Sequence, residues 1–451
     1  MKISYRALAK RATWTTGAFV VGQVIRLATN VVLTRLLAPE LFGTMVIVNS
    51  LKAGVELMSD VGIGQSIIIN KNADDPDFYN TAWTLQLIRG LVLWIVASAV
   101  SVPMAFIYGV PTLLLVIPVA SLVLVISGFN SISPALLQRK LQIGKLSIFE
   151  IIVTLIFAIA QIALAYLNPT IWALVFGLLV GSSATMIGSY FLIPELKHKF
   201  KISKSYFWQI IGFGKWIFIS SAIFFFSMNF DRLYLAGVIP LALLGVYGIA
   251  RSISELLSML VARLGNIIIF PLIASYSNMA RSDLYEQLAS IRLRFLLFAA
   301  LVFSVFAATA DFAIRLIFDQ RYHAAGWMLP VLIIGAWFSI MCNLNESVLL
   351  GLSKPQYSSI ANGLKFAWLL IGLPLSFVKY GAVGAIIVVA ISDLWRYTPI
   401  FIGQVRERFS FGKQDVLTTI IVLSLIGILE WLRWVLGLGT SFEDMPIASL
   451  I

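Results

Sequence analysis

The stretch 43–60, GTMVIVNSLKAGVELMSD, is apolar enough to cross a lipid bilayer and yet carries three charged residues. These residues, Lys52, Glu56 and Asp60, lie four positions apart, so on a helix they form one stripe. A charge near the bilayer centre costs roughly 2.5–3.5 kcal/mol even on the lenient insertion scale, so a stripe that faces lipid is disfavoured. The pattern therefore predicts a helix whose charged face turns towards a hydrated interior.

A related stretch, GVYGIARSISELLSMLVARLG, begins at Gly245, about two hundred residues further on. It carries Arg251 and Glu255 in the same base-then-acid order and spacing, and Arg263 follows two turns later. The segments before the two stretches also match, LLAPELFG at 36–43 and VIPLALLG at 238–245. We expect a duplicated six-span unit whose copies keep their orientation and enclose a cavity.

The composition is that of a polytopic membrane protein, because 60% of the 451 residues are hydrophobic, 12% are charged and the mean hydropathy is +0.94. Apolar runs of about 20 residues recur along the chain, and helices are the only open elements that satisfy their own backbone in lipid. The predicted fold class is an all-α polytopic membrane protein, with about 12–14 transmembrane helices in two six-helix lobes around a central cavity. The expected spans cover residues 14–37, 42–69, 81–106, 113–137, 146–167, 171–193, 214–238, 243–273, 291–312, 325–350, 358–377, 383–402 and 416–436.

These spans define the expected domains. Residues 1–194 form the N-terminal lobe, residues 195–211 a basic cytoplasmic linker and residues 212–403 the C-terminal lobe. Residues 404–451 add an extra helix and a tail, and this helix either spans the membrane or lies at the periphery. The basic N-terminus precedes an apolar run that is too long for a signal peptide, so we expect that run to be retained as the first span.

The formal charge of +12 does not indicate nucleic-acid binding, because most of the 33 Lys and Arg residues fall in alternate loops. This positive-inside pattern predicts an N-terminus in the cytoplasm, with contacts to anionic membrane lipids as a secondary role. Enzyme function is disfavoured. Cys342 is the only cysteine, both histidines lie in predicted loops, and no P-loop motif or long outer loop is present. We expect no catalytic residue, no metal and no cofactor.

The charged residues within spans indicate a secondary transporter that moves an anionic substrate. For Arg26, Lys52 and Arg251 a place in the cavity is favoured over a structural ion pair, whereas for Asp231, Arg232 and Arg396, near span ends, a structural pair is favoured. The predicted substrate-binding residues are Arg26, Lys52, Arg251 and Arg263. The predicted ion-coupling or charge-balancing residues are Glu56, Asp60 and Glu255.

Several segments resemble the Wzx-like polysaccharide and O-antigen flippases, the polysaccharide transporter branch of the multidrug/oligosaccharidyl-lipid/polysaccharide exporter superfamily. The resemblance rests on LLAPELFG at 36–43, NTAW at 80–83 with Arg89-Gly90, ALLQRKL at 135–141, WALV at 172–175, and residues 229–248 with Asp231. It implies a V-shaped pair of six-helix lobes in the bacterial inner membrane. Such a protein moves undecaprenyl-diphosphate-linked oligosaccharides to the periplasmic leaflet for O-antigen or exopolysaccharide synthesis.

The resemblance also implies roles for individual residues and partners. In the related lipid II flippases, basic residues on the first, second and eighth spans meet the diphosphate, and Arg26, Lys52 and Arg251 lie on the corresponding spans here. Besides the lipid-linked oligosaccharide and membrane lipids, a polysaccharide polymerase and a chain-length regulator are candidate partners. The sugars and the coupling ion are left open.

Two other functions compete with this hypothesis. A multidrug or metabolite cation antiporter of the same superfamily needs acidic residues to dominate its cavity, whereas bases and acids are nearly balanced here. A membrane-bound glycan polymerase needs a sizeable outer loop with reactive side chains, and the sequence offers none. Both are therefore less favoured than the flippase.

Overall fold

The computed structural model describes residues 5–59, 63–275, 281–352 and 354–446. Over these ranges the regular elements are helices, with no strand. Ten described helices are long and apolar enough to cross a membrane, and a bent helix pair brings the number to eleven. The predicted class, an all-α polytopic membrane protein, is confirmed. The chain packs into two compact units that divide between Phe225 and Phe226. The predicted lobe boundaries and the cavity between lobes stay predictions.

The described residues of unit 1 form eight helices and the first part of a ninth. α4 packs against α5, and α7 packs against both α1 and α8. The helices are α1 (Tyr5–Leu36), α2 (Pro39–Met58), α3 (Ile63–Ile69), α4 (Pro76–Tyr108), α5 (Leu113–Gly128), α6 (Ser133–Arg139), α7 (Ile143–Leu167), α8 (Ile171–Phe191) and α9 (Lys204–Val238).

Two of the expected spans in unit 1 are interrupted. The expected span 42–69 ends as α2 at Met58, and helix resumes with α3 at Ile63. The expected span 113–137 ends as α5 at Gly128, and α6 bends away from it by 55°. Pro134 lies in the first turn of α6, where its missing N–H is tolerated but prevents the preceding helix from continuing. Each interruption leaves backbone carbonyls without helical partners.

Gln86 on α4 satisfies the carbonyls at the end of α5. Its Nε2 donates to three backbone oxygens, each at 3.1 Å, those of Ser127, Gly128 and Asn130. The side chain reaches them because the two backbones nearly touch: a Cβ added to Gly90 of α4 would lie 2.5 Å from the carbonyl oxygen of Leu124. Glycine at position 90 therefore permits the close packing that brings Gln86 to the break.

Arg89, one turn after Gln86, performs the same role at the end of α2. Its Nη2 donates to the carbonyl of Glu56 at 2.7 Å and to the hydroxyl of Ser59 at 3.1 Å. Ser59 in turn donates to the carbonyl of Val55 at 2.7 Å. Two neighbouring side chains of one helix thus complete the hydrogen bonding of two broken helices, as a low-dielectric surrounding requires.

The basic segment between α8 and α9 binds along α4. Successive alternate amides donate to its polar side chains: Lys199 to Asn80 Oδ1 at 2.7 Å, Lys201 to Thr84 Oγ1 at 3.1 Å and Ser203 to Thr81 Oγ1 at 3.0 Å. We call residues 197–203 the linker strap. An extended segment presents every second amide to one side, which explains the alternation.

His198 anchors the linker strap. Its ring lies 5.3 Å from that of Trp83 and 5.4 Å from that of Tyr190, and Nε2 accepts a hydrogen bond from the amide of Ile132 at 3.3 Å. Burial lowers the pKa of His198 below its usual value. Only a deprotonated Nε2 accepts this bond, so the docked strap requires the neutral ring.

We expect the docking of the linker strap to weaken in acid. Because the docked state depresses the pKa of His198, this stabilisation is complete above the ordinary histidine pKa of about 6.5 and decreases as the pH falls below it, by up to tenfold in the docking constant per pH unit. Hydrogen exchange at Lys199, Lys201 and Ser203, corrected for intrinsic rates, should accelerate between pH 7.5 and 5.5.

The variant His198→Gln is the matched control, since it keeps a hydrogen-bond acceptor and does not titrate. Its corrected exchange should not change with pH. Equal protection of the wild-type amides at both pH values would contradict this role of His198.

Where the structure describes unit 2, it contains the rest of α9 and six further α-helices, in which α13 packs against both α10 and α14. They are α10 (Leu241–Ser275), α11 (Arg281–Ala308), α12 (Ala310–Ile317), α13 (Ala325–Gly351), α14 (Gln356–Arg406) and α15 (Gly412–Val435). The expected spans 358–377 and 383–402 are the two segments of α14, which meet at Gly381 with φ of 58°. The expected span 291–312 is divided where α11 ends at Ala308.

Buried ion pairs hold α15 in unit 2. Asp415 on α15 pairs with Arg292 of α11, which is 1% exposed, and accepts further hydrogen bonds from Asn345 at 2.9 Å and Tyr397 at 2.7 Å. At the other end of α15, Arg433 pairs with Asp311 through two contacts of 2.8 Å. The extra C-terminal helix is long and apolar enough to span, and these pairs make it part of the unit.

Replacement of Arg292 by methionine should lower the free energy of unfolding by about 3–5 kcal/mol, because it leaves Asp415 buried without its cation. Thermal unfolding in detergent, followed by loss of the monodisperse species, measures the change. Arg294→Met is the control, since Arg294 lies two positions away and is exposed. Equal midpoints for the two variants would contradict this account of α15 docking.

Candidate functional site

Arg26 lies at a cavity of about 220 Å³ inside unit 1. Residues of α1, α2, α7 and α8 line the cavity, and polar groups among them include Asn30, Asn49, Thr154 and Gln161. Arg26 is exposed and has no hydrogen-bond or ion-pair partner in the part of the chain that the structure describes. The cavity therefore offers an uncompensated guanidinium among neutral polar side chains.

Lys52 and Glu56 of the charged stripe have different surroundings. Lys52 is half-buried on α2 and, within the described ranges, has no ion-pair partner. Glu56, one turn later, lines a larger cavity of about 510 Å³ within unit 1. Its carboxylate also lacks a partner among the described residues. Asp60, the third member of the stripe, lies outside the described residues.

Arg251 belongs to a buried charge network in unit 2. Its Nε lies 3.3 Å from Asp231 Oδ2 and 3.2 Å from Glu255 Oε1, and its side chain is 13% exposed. Arg232 pairs with Glu255 at 2.6 Å, and the hydroxyl of Tyr247 donates to Asp231. Two carboxylates therefore already compensate Arg251, and Asp231 and Arg232, which sequence analysis set apart from it, belong to the same network.

A second cluster in unit 2 joins α13 to both segments of α14. Lys365, which is 1% exposed, places its Nζ 3.0 Å from Asp393 Oδ1. Arg396 lies 3.7 Å from Asp393 and pairs more closely with Glu346 of α13. A buried cation whose partner was removed would be costly, so each of these groups restricts the helix that carries it.

The two clusters of unit 2 are balanced in charge. Four carboxylates face four cations, so the set is neutral when all groups are ionised: Asp231, Glu255, Glu346 and Asp393 with Arg232, Arg251, Lys365 and Arg396. Arg263, the last predicted substrate residue, is half-buried further along α10. In the described residues no group of acidic, histidine or cysteine side chains could hold a metal ion.

Sequence analysis did not single out several residues of these sites. Lys365 is a lysine within an apolar run, GLKFAW at 363–368, which is the signal that marked Lys52. Glu346 was not singled out at all. Arg89 was noted only as part of the Arg89-Gly90 motif, and its contact with the end of α2 depends on an interruption that the sequence analysis did not predict.

This chain is a multi-pass helical membrane protein, because its helices have the length and hydropathy of membrane spans. Charged groups are held among these helices. Residues 32–326 match the family described as "Polysaccharide biosynthesis protein", and the chain belongs to this family. The resemblance inferred from the sequence is thereby confirmed.

Curated relatives span most of the chain at low identity. The lipopolysaccharide biosynthesis protein WzxC of Escherichia coli K12 is 22% identical over 377 residues, which are 83% of this chain and 76% of the relative. The succinoglycan biosynthesis transport protein ExoT of Rhizobium meliloti is 20% identical over 81% of this chain and 72% of its own length. The teichuronic acid biosynthesis protein TuaB of Bacillus subtilis is 21% identical, with 87% and 81% covered.

Solved structures share the fold. An inward closed form of the lipid II flippase MurJ superposes with a TM-score of 0.72 at 13% identity, over 92% of this chain and 91% of MurJ. An inward-facing multidrug resistance transporter of the MATE family, from the MOP superfamily, gives a TM-score of 0.65 at 15% identity, over 85% and 94% of the two chains. Identities this low establish the fold alone.

The different surroundings of Arg251 and Lys52 predict different costs of removing each charge. Arg251→Ala leaves Asp231 and Glu255 with one cation fewer and should destabilise the protein by about 3–5 kcal/mol. Lys52→Ala removes a cation without a described partner and should change stability by less than about 1 kcal/mol. Unfolding midpoints in detergent test this. Similar losses in both variants would contradict the assignment of Arg251 to a structural network.

Proposed function

We propose that this protein is a flippase that moves polyprenyl-diphosphate-linked oligosaccharide repeat units across the bacterial inner membrane for surface polysaccharide synthesis. Membership of the polysaccharide biosynthesis family supports this proposal. So do a relative described as a transport protein and a structural neighbour described as a lipid II flippase. The protein moves the head group and breaks no bond, so it acts as a transporter and not as an enzyme.

The observation that carries the proposal is that two cations of unit 1 have no described carboxylate partner. Arg26 and Lys52 lie on helices with the properties of membrane spans, and neither has a carboxylate partner among the described residues. A cation at such a depth is costly unless water or an anion compensates it. A diphosphate supplies two or more negative charges, which a basic hydrated cleft can hold while the polyprenyl tail stays in lipid.

In this proposal the remaining predicted residues have supporting roles. Arg251 contributes through the balanced network of unit 2, and Glu255 balances the charges of Arg232 and Arg251. Arg263 contributes to substrate binding further along α10. Asp60 is assigned to ion coupling or charge balance on the sequence alone.

We further propose an N-terminus in the cytoplasm, since this orientation places most of the basic loops inside. The oligosaccharide would then be delivered to the periplasmic leaflet. A polysaccharide polymerase and a chain-length regulator that act on the delivered repeat unit are the proposed protein partners. Contacts with anionic lipids fit the basic residues of the linker strap, which include Lys197, Lys199 and Lys201.

Charge reversal in unit 1 tests the proposal. Arg26→Glu and Lys52→Glu should each reduce surface polysaccharide at least tenfold, because a carboxylate repels the diphosphate and one charged contact is worth about 1.5–3 kcal/mol. Lipid-linked repeat units should accumulate on the cytoplasmic leaflet, where a membrane-impermeant reagent added to spheroplasts does not reach them.

Lys52→Arg is the matched control, since it keeps the charge and should retain most of the export. Protein levels in the membrane must equal those of the wild type for all variants. Normal export by both charge-reversal variants would remove Arg26 and Lys52 from the substrate site.

A further inference from the structure

The larger cavity of unit 1 lies where its two broken helices end. Its volume is about 510 Å³, within the range of sites that hold small ligands. Residues on both sides of each interruption line it, and α4 contributes Gln86 and Arg89. Neither predicted substrate cation of unit 1 lines this cavity, since Arg26 lines the smaller one and Lys52 lines neither.

The donors and acceptors that line this cavity differ in whether they already have hydrogen-bond partners. The donors are largely engaged, because the Nε2 of Gln86 and the guanidinium of Arg89 bind the ends of α5 and α2. Two acceptor groups at the cavity have no described partner. The carboxylate of Glu56 has no described partner, and Asn130 Oδ1 is buried without a hydrogen bond. A ligand that donates hydrogen bonds can satisfy both acceptors.

We infer that this cavity binds sugar hydroxyls of the transported head group, an inference that rests on the proposed function. The free carboxylate of Glu56 repels phosphate, so the diphosphate does not bind there. Hydroxyl groups donate to Glu56 and Asn130, while aliphatic walls such as Leu57 and Ile132 cover the C–H faces of the ring. The cavity thus binds the sugars of the substrate, whereas Arg26 and Lys52 bind its diphosphate.

Gly64 gives a direct way to fill the cavity. It lines the cavity on α3, and a Cβ added there would meet no atom within 4 Å. Gly64→Leu therefore places a larger side chain at the cavity wall, and no described atom opposes its Cβ. Gly22→Leu on α1 is the matched control, because a Cβ at that position also meets no atom within 4 Å and Gly22 lines neither cavity of unit 1.

The binding test uses the free oligosaccharide repeat unit released by mild acid from the lipid-linked intermediate of the host. Calorimetry on the purified protein should show binding to the wild type and to Gly22→Leu, and at least tenfold weaker binding to Gly64→Leu. Asn130→Ala should weaken binding about tenfold. Unchanged affinity in Gly64→Leu and Asn130→Ala, each verified as monodisperse, would overturn the inference.

The transport test separates this inference from the proposed function. In vesicles, wild-type protein should flip polyprenyl diphosphates that carry one sugar or a complete repeat unit, and Gly64→Leu should lose at least tenfold with the complete unit only. Equal loss with both lipids, or no loss, would overturn the sugar site while the flippase stands. Failure of the wild type to flip either lipid would overturn the proposed function, whereas the free oligosaccharide would still bind if the sugar site is correct.

Glu56→Gln distinguishes a sugar site from a site for a coupling cation. Glutamine keeps an acceptor oxygen, so oligosaccharide binding should weaken by only about three- to tenfold and transport should persist. Complete loss of transport in Glu56→Gln, together with unchanged oligosaccharide affinity, would assign Glu56 to ion coupling and overturn the inference.

Discussion

A helix that ends within a membrane protein leaves carbonyl groups that neither lipid nor a following turn can satisfy, and unit 1 depends on how this requirement is met. α4 provides the solution with Gln86 at the end of α5 and Arg89 at the end of α2. Both side chains reach their targets because Gly90 lets α4 and α5 come into backbone contact. The same arrangement forms the larger cavity, since the interruptions open space that two continuous helices would fill.

Arg292 of unit 2 lies at the position that corresponds to Arg89 in the repeat and has a different role. Arg292 follows Arg89 by about two hundred residues, the displacement of the sequence repeats, and both lie on the third long helix of their unit. Arg89 binds a carbonyl and a hydroxyl at a helix end, whereas Arg292 is buried against Asp415 of α15. The C-terminal helix, which has no counterpart in unit 1, supplies the carboxylate. A duplicated arginine thus stabilises a helix break in one unit and the attachment of an added helix in the other.

The sequence predicted features that depend on local spacing. It predicted the helical class and placed Arg251 and Glu255, which form an ion pair, on one helix face, because i and i+4 residues share a face. It missed features that depend on distant contacts: the pairing of Lys365 with Asp393 joins residues 28 positions apart. The interruptions of the helices in unit 1 depend on both local sequence and distant contacts. Pro134 gave a visible signal, but an apolar run on both sides of it favoured one continuous span, and the compensating Gln86 lies 41 residues or more from the carbonyls it binds.

The two units differ in how they would respond to an anion. In unit 2 an incoming diphosphate would have to compete with Asp231 and Glu255 for Arg251, and its binding would leave both carboxylates with one cation fewer. In unit 1 no described carboxylate competes for Arg26 or Lys52, so the full attraction is available for binding. The balanced set in unit 2 therefore favours a fixed arrangement of α9, α10, α13 and α14. On these grounds we propose that the first contact with the anionic head group belongs to unit 1, and that the neutral network of unit 2 maintains the helix packing while the substrate charge enters and leaves.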